Sequence, residues 1–162
     1  DSTSDPGVDT FISFGHDNRP GIAVEPLQPV EFTPICSPEY LERIGGLPDP
    51  AALARATLLH INDYADWEAW LRKVGFPVDW AHRGICFADM NHAYAAVIAG
   101  QGVAIGDVIL WRDLLESGKF VRPFAGNLHS DTGYYLCTPA VKLGNPLVAA
   151  FHTWIKTELR NS

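Results

Sequence analysis

The sequence predicts an α/β fold arranged as two lobes, and three observations predict it. Short apolar runs suited to strands alternate with segments of helical period along most of the chain, the pattern of parallel βαβ units. Two extended segments, 31–36 and 133–138, bracket a middle block of about a hundred residues. Such a bracket fits an inserted lobe entered and left by two strands, with a ligand crevice between lobes at the carboxyl ends of strands. The 162 residues, 47% hydrophobic and 19% charged, suffice for one domain or two small lobes sharing a hinge.

The elements follow in chain order. Residues 8–14 form a strand that stops at Gly15. Residues 22–27 form a second strand between Gly21 and Pro29, and 31–36 a third. Ser37 and Pro38 start a helix, Ser as N-cap and Pro at the first helical position. Residues 50–56 read as a short Ala-rich helix and 57–60 as a strand. In the helix 66–74, Trp67, Trp70, Leu71 and Val74 recur at spacings of three and four, and Gly75 ends it. Residues 85–88 are a strand, 90–99 a helix stopped by Gly100, and 102–105 a strand. Residues 109–116 are a helix stopped by Gly118, followed by a short strand at Phe120 and Val121. After the strand 133–138, a final helix over 146–159 carries Leu147, Val148, Phe151, Trp154, Ile155 and Leu159 on one face. The expected core of the middle lobe is Leu41, Leu58, Trp67, Trp70, Leu71, Phe87, Val97, Ile98, Val103, Leu110 and Leu114.

Charge excludes one class of partner. Twelve Lys and Arg stand against nineteen Asp and Glu, a net charge of −7, where a nucleic-acid surface shows a basic excess. Every apolar stretch is broken well short of a membrane span, for example by Asp107 and Arg112. Without a starting Met or a basic-then-apolar leader, no signal peptide is expected, and the Ser/Asp/Pro/Gly opening reads as a cut inside a longer protein. The three cysteines, Cys36, Cys86 and Cys137, form no C-x-x-C pair and sit in apolar runs. They read as three buried thiols in strands of a reduced, cytoplasmic protein.

Catalytic motifs are lacking. There is no G-x-S-x-G elbow, P-loop, H-E-x-x-H or G-x-G-x-x-G, and no nucleophile–base or paired-carboxylate constellation, so the chain is not expected to be an enzyme. Gly100 and Gly102 follow a helix instead of opening one, which makes them a tight helix-to-strand turn. None of the six histidines forms a close ligand pair, so no metal and no cofactor is expected. His60 ends a strand beside Asn62 and Asp63, a polar cluster where a cleft rim should lie. Asp89, Met90 and Asn91 stand between a strand and a helix, where first-turn N–H groups suit a polar ligand end. Asp89 or Asn91 also serves as a cap for that helix, and both roles are compatible.

Several segments together resemble the effector-binding domain of LysR-type transcriptional regulators. They include Pro34-Ile-Cys-Ser-Pro-Glu-Tyr-Leu41, Asp66-Trp-Glu-Ala-Trp-Leu71, Ala95-Ala-Val-Ile-Ala-Gly-Gln-Gly-Val-Ala-Ile-Gly106, Asp113-Leu-Leu-Glu-Ser-Gly118, Val121-Arg-Pro-Phe124 and Phe151-His-Thr-Trp-Ile155. Their order and spacing make the match, which is closest to the branch holding the glycine-cleavage activator and the regulator of chromosomal β-lactamase. The resemblance implies a type 2 periplasmic-binding-protein-like fold: two Rossmann-like lobes joined by two crossover strands. Residues 1–30 and 133–162 would make lobe I and residues 31–132 lobe II.

Lobe I would be incomplete, lacking the family's first strand, helix and second strand, which leaves a sheet edge and an apolar face uncovered. The resemblance further implies a cytoplasmic transcription factor that forms a homo-oligomer, dimer or tetramer. It would bind a small-molecule effector, avoid membranes, and touch DNA only through an N-terminal domain outside this chain. Candidate effector contacts are Phe14, His16 and Tyr134 from lobe I, and His60, Asn62, Asp89, Met90 and Asn91 from lobe II. In the resembling branch the Asp89/Met90 and Tyr134 positions touch ligand. Ser13 departs from that branch, which often has Arg there, and Asp107 is unusual after the Gly-Val-Ala-Ile-Gly run. A transporter's solute receptor and an enzyme on the same fold remain the alternatives. A helix-turn-helix upstream would decide for the regulator, and a leader for the receptor.

Overall fold

The structure, a computed structural model, describes residues 7–125 and 128–161, so most of the Ser/Asp/Pro/Gly opening lies outside the described residues. The elements are β1 (Phe11–Phe14), β2 (Ile22–Ile35), α1 (Pro38–Arg43), β3 (Leu58–Ile61), α2 (Ala65–Val74), β4 (Ile85–Phe87), α3 (Met90–Ile98), β5 (Val103–Asp107), α4 (Arg112–Glu116), β6 (Leu128–Pro139) and α5 (Pro146–Asn161). Short 3-10 helices occupy Pro50–Arg55, Val78–Ala81 and Ala140–Lys142. The chain divides into two compact units, Glu31–His129 and Asp1–Val30 with Ser130–Ser162.

The larger unit is built on strands in the order β2-β5-β3-β4. β3 runs parallel to both β4 and β5, and β2 returns antiparallel to β5. Each parallel step is bridged by a helix, as the alternation in the sequence requires. Ser37 caps α1 by accepting the Tyr40 N–H at 3.2 Å, and Pro38 sits at its start. α2 ends at Gly75 in the left-handed region, φ 79°. Its inner face buries Trp67, Trp70 and Leu71 with Leu53, Leu58, Val103 and Phe124, while Ile35, Leu59, Tyr94, Val97 and Phe120 form a second cluster. The helix-to-strand turn at Gly102 is tight for a steric reason. A Cβ there would lie 2.5 Å from the Thr57 carbonyl oxygen, and the next N–H, of Val103, bonds that carbonyl at 2.9 Å.

In the smaller unit β1 pairs antiparallel with β6, Phe14 opposite Tyr134, and β6 neighbours β2. Lys156 of α5 pairs with Glu25, and His152 shares a 3.0 Å hydrogen bond with Thr138, which in turn meets Thr10 at 2.9 Å. These contacts pin α5 across the strands. Large apolar side chains nonetheless remain in water here: Ile12, Phe14, Leu147 and Trp154 are all about half exposed or more.

Five sequence expectations are corrected. The two strands expected at 22–27 and 31–36 are one fourteen-residue strand, β2, running through Pro26, Pro29 and Pro34. The ladder with β5 takes in only Phe32–Ile35, so Pro26 and Pro29 lie outside it and remove none of its hydrogen bonds. The helix expected from 109 starts only at Arg112. The Asp107 carboxylate accepts the Ile109 and Leu110 N–H groups at 2.8 and 3.3 Å, which holds that stretch as a turn. That turn leaves Leu110 exposed instead of in the core, and Ile98, roughly 100° around α3 from buried Val97, is exposed too. Cys36 and Cys137 are buried, but Cys86 on the edge strand β4 is exposed. Burial pushes the Cys36 thiol pKa up to about 12. On α5, Leu147 and Trp154 face solvent although they share the apolar stripe, while Val148 is buried.

Candidate functional site

Two clusters of the predicted residues form, one in each unit. In the larger unit the parallel pairing of β3 and β4 sets Ile61 opposite Phe87, and the chain turns away with the Asn62 N–H bonded to the Phe87 carbonyl at 2.8 Å. Asn62 takes a left-handed conformation, φ 65°, which asparagine tolerates. The β4 chain continues directly into the start of α3, so Asn62 lies at the same strand ends as Asp89, Met90 and Asn91. Met90 and Asn91 are exposed.

Asp89 is the N-cap of α3. Its carboxylate accepts the His92 N–H at 3.1 Å and pairs with the His92 imidazole. The His92 N–H first, and the imidazole second, hold this carboxyl below the ordinary aspartate range. Asp89 therefore stays ionised throughout the physiological range, at a surface position that a ligand can reach.

His60 departs from the rim position expected of it. The ring is 2% exposed, and its Nε2 meets the Arg83 carbonyl oxygen at 2.7 Å. With that acceptor, Nε2 carries the proton, and Nδ1 has no hydrogen-bond partner among the described residues. Tyr64 packs edge-on at 4.8 Å, His82 packs on Tyr64 at 5.2 Å, and His82 pairs with Glu68 at 2.6 Å. Arg83 is a clasp: its guanidinium donates to the Trp80, Ala54 and Ala56 carbonyls at 3.1, 2.9 and 3.3 Å and also to that of Leu53. His60 thus supports the strand end from within. Sequence reasoning missed Tyr64, His82 and Arg83. The one available signal was the Tyr64–Glu68 spacing of four, which stacks both at the start of α2.

The buried, half-satisfied ring makes the larger unit acid-sensitive. Burial lowers the His60 pKa from the ordinary histidine value and His82 adds to this, against opposing effects of the Arg83 hydrogen bond and Asp63. A histidine in the unfolded chain titrates near about 6.5 and takes up its proton first as pH falls. Stability is therefore full above that pH and declines below it. Between pH 7.5 and pH 5.5 the Tm of the chain should fall more steeply than that of His60→Gln. Parallel slopes would show that His60 does not carry the effect.

In the smaller unit Phe14 and Tyr134 pack edge to face at 5.7 Å, with Phe14 55% exposed. Just beyond the strand, His16 shares a 2.9 Å hydrogen bond with Asn18 and packs on Tyr135 at 5.3 Å. The strand end thus presents an aromatic surface with a polar neighbour. Among the described residues no group of three or more His, Cys, Asp and Glu side chains is placed to hold a metal ion, and no helix is long and apolar enough to cross a membrane.

Comparison with known proteins decides the family. Residues 3–160 match the LysR substrate binding domain. The chain belongs to that family. This LysR domain is 34% identical over 148 residues to the glycine cleavage system transcriptional activator of Escherichia coli K12, covering 91% of the chain and 48% of the activator. It is 28% identical over 155 residues to the transcriptional activator AmpR of Enterobacter cloacae, covering 95% of the chain and 52% of AmpR. The chain therefore spans about half the length of the curated relatives it matches. In three dimensions the LysR domain superposes on the AmpR effector-binding domain of Citrobacter freundii with a TM-score of 0.83 at 24% identity, covering all of this chain and 79% of that one. The AmpR effector domain of Pseudomonas aeruginosa gives 0.80 at 26% identity, covering 99% of this chain and 75% of that one. The fold is thus that of LysR effector-binding domains, as the ordered motifs imply, and the relatives named are transcriptional regulators, not enzymes.

Proposed function

We propose that this LysR domain senses a small polar metabolite for a cytoplasmic, homo-oligomeric transcription regulator whose DNA contacts are made by residues outside this chain. The observation that carries the site is the start of α3: an ionised Asp89 beside exposed Met90 and Asn91, at strand ends shared with Asn62. First-turn N–H groups attract a polar or anionic ligand end. The Asp89 charge selects within that class, because it repels a carboxylate placed against it. The effector end that meets Asp89 therefore carries an amino or hydroxyl group. Phe14, His16 and Tyr134 of the other unit are proposed as further effector contacts, the aromatic rings supplying area at low entropic cost. His60 supports this site from behind.

Thermal-shift screening of amino- and hydroxyl-bearing metabolites against the chain tests the reading. A hit should raise Tm, and Asn91→Ala or Tyr134→Ala should weaken its binding about tenfold or more while leaving the ligand-free Tm within a few degrees. Unchanged affinity in both variants would remove these residues from the site. Loss of the ligand-free fold in both would make them structural.

A further inference from the structure

An open cavity of about 610 Å³ lies in the larger unit between α4 and the segment that follows it, a size that suits a small organic molecule. Its floor is apolar: Val108, Leu115 and Val121 are partly buried and Phe120 is 1% exposed. Its rim is charged. Arg112 and Glu116, one helical turn apart on α4, and Arg122 on the facing segment all line it. Neither Arg112 nor Glu116 makes an ion pair among the described residues, although their spacing of four permits one. Among the described residues the Arg112 guanidinium makes no hydrogen bond or ion pair. Two guanidinium groups therefore meet one carboxylate at this opening, in a chain whose net charge is −7.

We propose that this cavity binds a small monocarboxylate with an apolar body, at a site separate from the start of α3. A guanidinium takes a carboxylate through two parallel hydrogen bonds, and the partly desolvated floor strengthens them. The floor accepts a ring or short aliphatic chain. Glu116 on the same rim disfavours dianions such as phosphate, so the site reads one negative charge.

Benzoate is the probe, benzamide its neutral counterpart and inorganic phosphate the dianion control. In an amide NMR titration of the 162-residue chain, benzoate should give saturable shifts at Gly118, Phe120 and Val121, in the roughly millimolar range of so small a ligand. Benzamide and phosphate should bind at least tenfold more weakly. Arg112→Gln should weaken benzoate at least tenfold with Tm within a few degrees of the parent, since the guanidinium makes no hydrogen bond or ion pair among the described residues, and Asn91→Ala should leave benzoate binding unchanged. The proposal is overturned if benzamide matches benzoate, if Arg112→Gln binds as well as the parent chain, or if the shifts map to Asp89–Asn91 instead. No saturable shift at millimolar benzoate overturns it as well.

Discussion

Gly84→Ala should destabilise the larger unit by about 4 kcal/mol, a large share of the ~5–15 kcal/mol that holds a domain of this size folded. Gly84 has φ +104°, and a Cβ built on it would stand 2.0 Å from the Leu58 carbonyl oxygen and 2.8 Å from its carbonyl carbon. Those are backbone atoms at the start of buried β3, so no side-chain rotation relieves the clash. Relief requires β4 to move away from β3, where Leu59 and Ile85 pair. Gly45→Ala is the control, because it shares a positive φ, +74°, but its Cβ would meet nothing within 4 Å. That variant should lose only about 1 kcal/mol, the cost of the left-handed backbone alone. Urea unfolding of both separates the two terms. Equal losses would mean that the close approach to Leu58 contributes nothing.

Trp70→Ala should cost a similar amount, about 3–5 kcal/mol, through the cavity it leaves. Trp70 is 1% exposed and packs edge-on against Trp67 at 5.9 Å and tilted on Phe124 at 5.3 Å. It links α2 to the segment beyond α4, so truncation removes contacts from both sides. Trp67 fills the adjacent space and donates its indole N–H to the Leu59 carbonyl at 3.0 Å, which fixes it against β3 and limits collapse into the hole. Trp70→Phe keeps a ring in place and should lose less than half as much. An alanine variant whose midpoint in urea stays within error of the parent would contradict this packing.

The parts of the fold that could be read from residues are those set by local chemistry. Ser37-Pro38 and Gly75 marked helix ends because capping and left-handed geometry involve only neighbours in sequence. The α2 stripe gave the core because the indoles of Trp67 and Trp70 cannot both be solvated cheaply. The misread elements depended on partners remote in the chain or on which of two local conformations a side chain selects. Pro29 is a strand breaker by itself, yet β2 passes through it because the ladder with β5 begins only at Phe32. Asp107 is the local case: an Asp ahead of an apolar run suits a helix start, but its carboxylate accepts the Ile109 and Leu110 N–H groups and holds a turn instead. On α5 the six apolar residues share a stripe, but a stripe does not state how much of its width the strands beneath it cover. The site divides the same way. Asp89 as a helix cap followed from sequence, whereas the burial of His60 depends on Arg83, Tyr64 and His82, which arrive from other elements.

The distribution of thiols carries a practical consequence. Cys36 and Cys137 lie buried, and burial raises the pKa of both, which suppresses the thiolate that reacts. Cys86 alone of the three faces water, three positions ahead of Asp89 and on the strand that leads into α3. The natural sequence thus contains a single-address attachment point for a maleimide dye next to the region proposed to meet the effector. A fluorophore there would report occupancy by its own emission, with no engineered cysteine and no background from the other two.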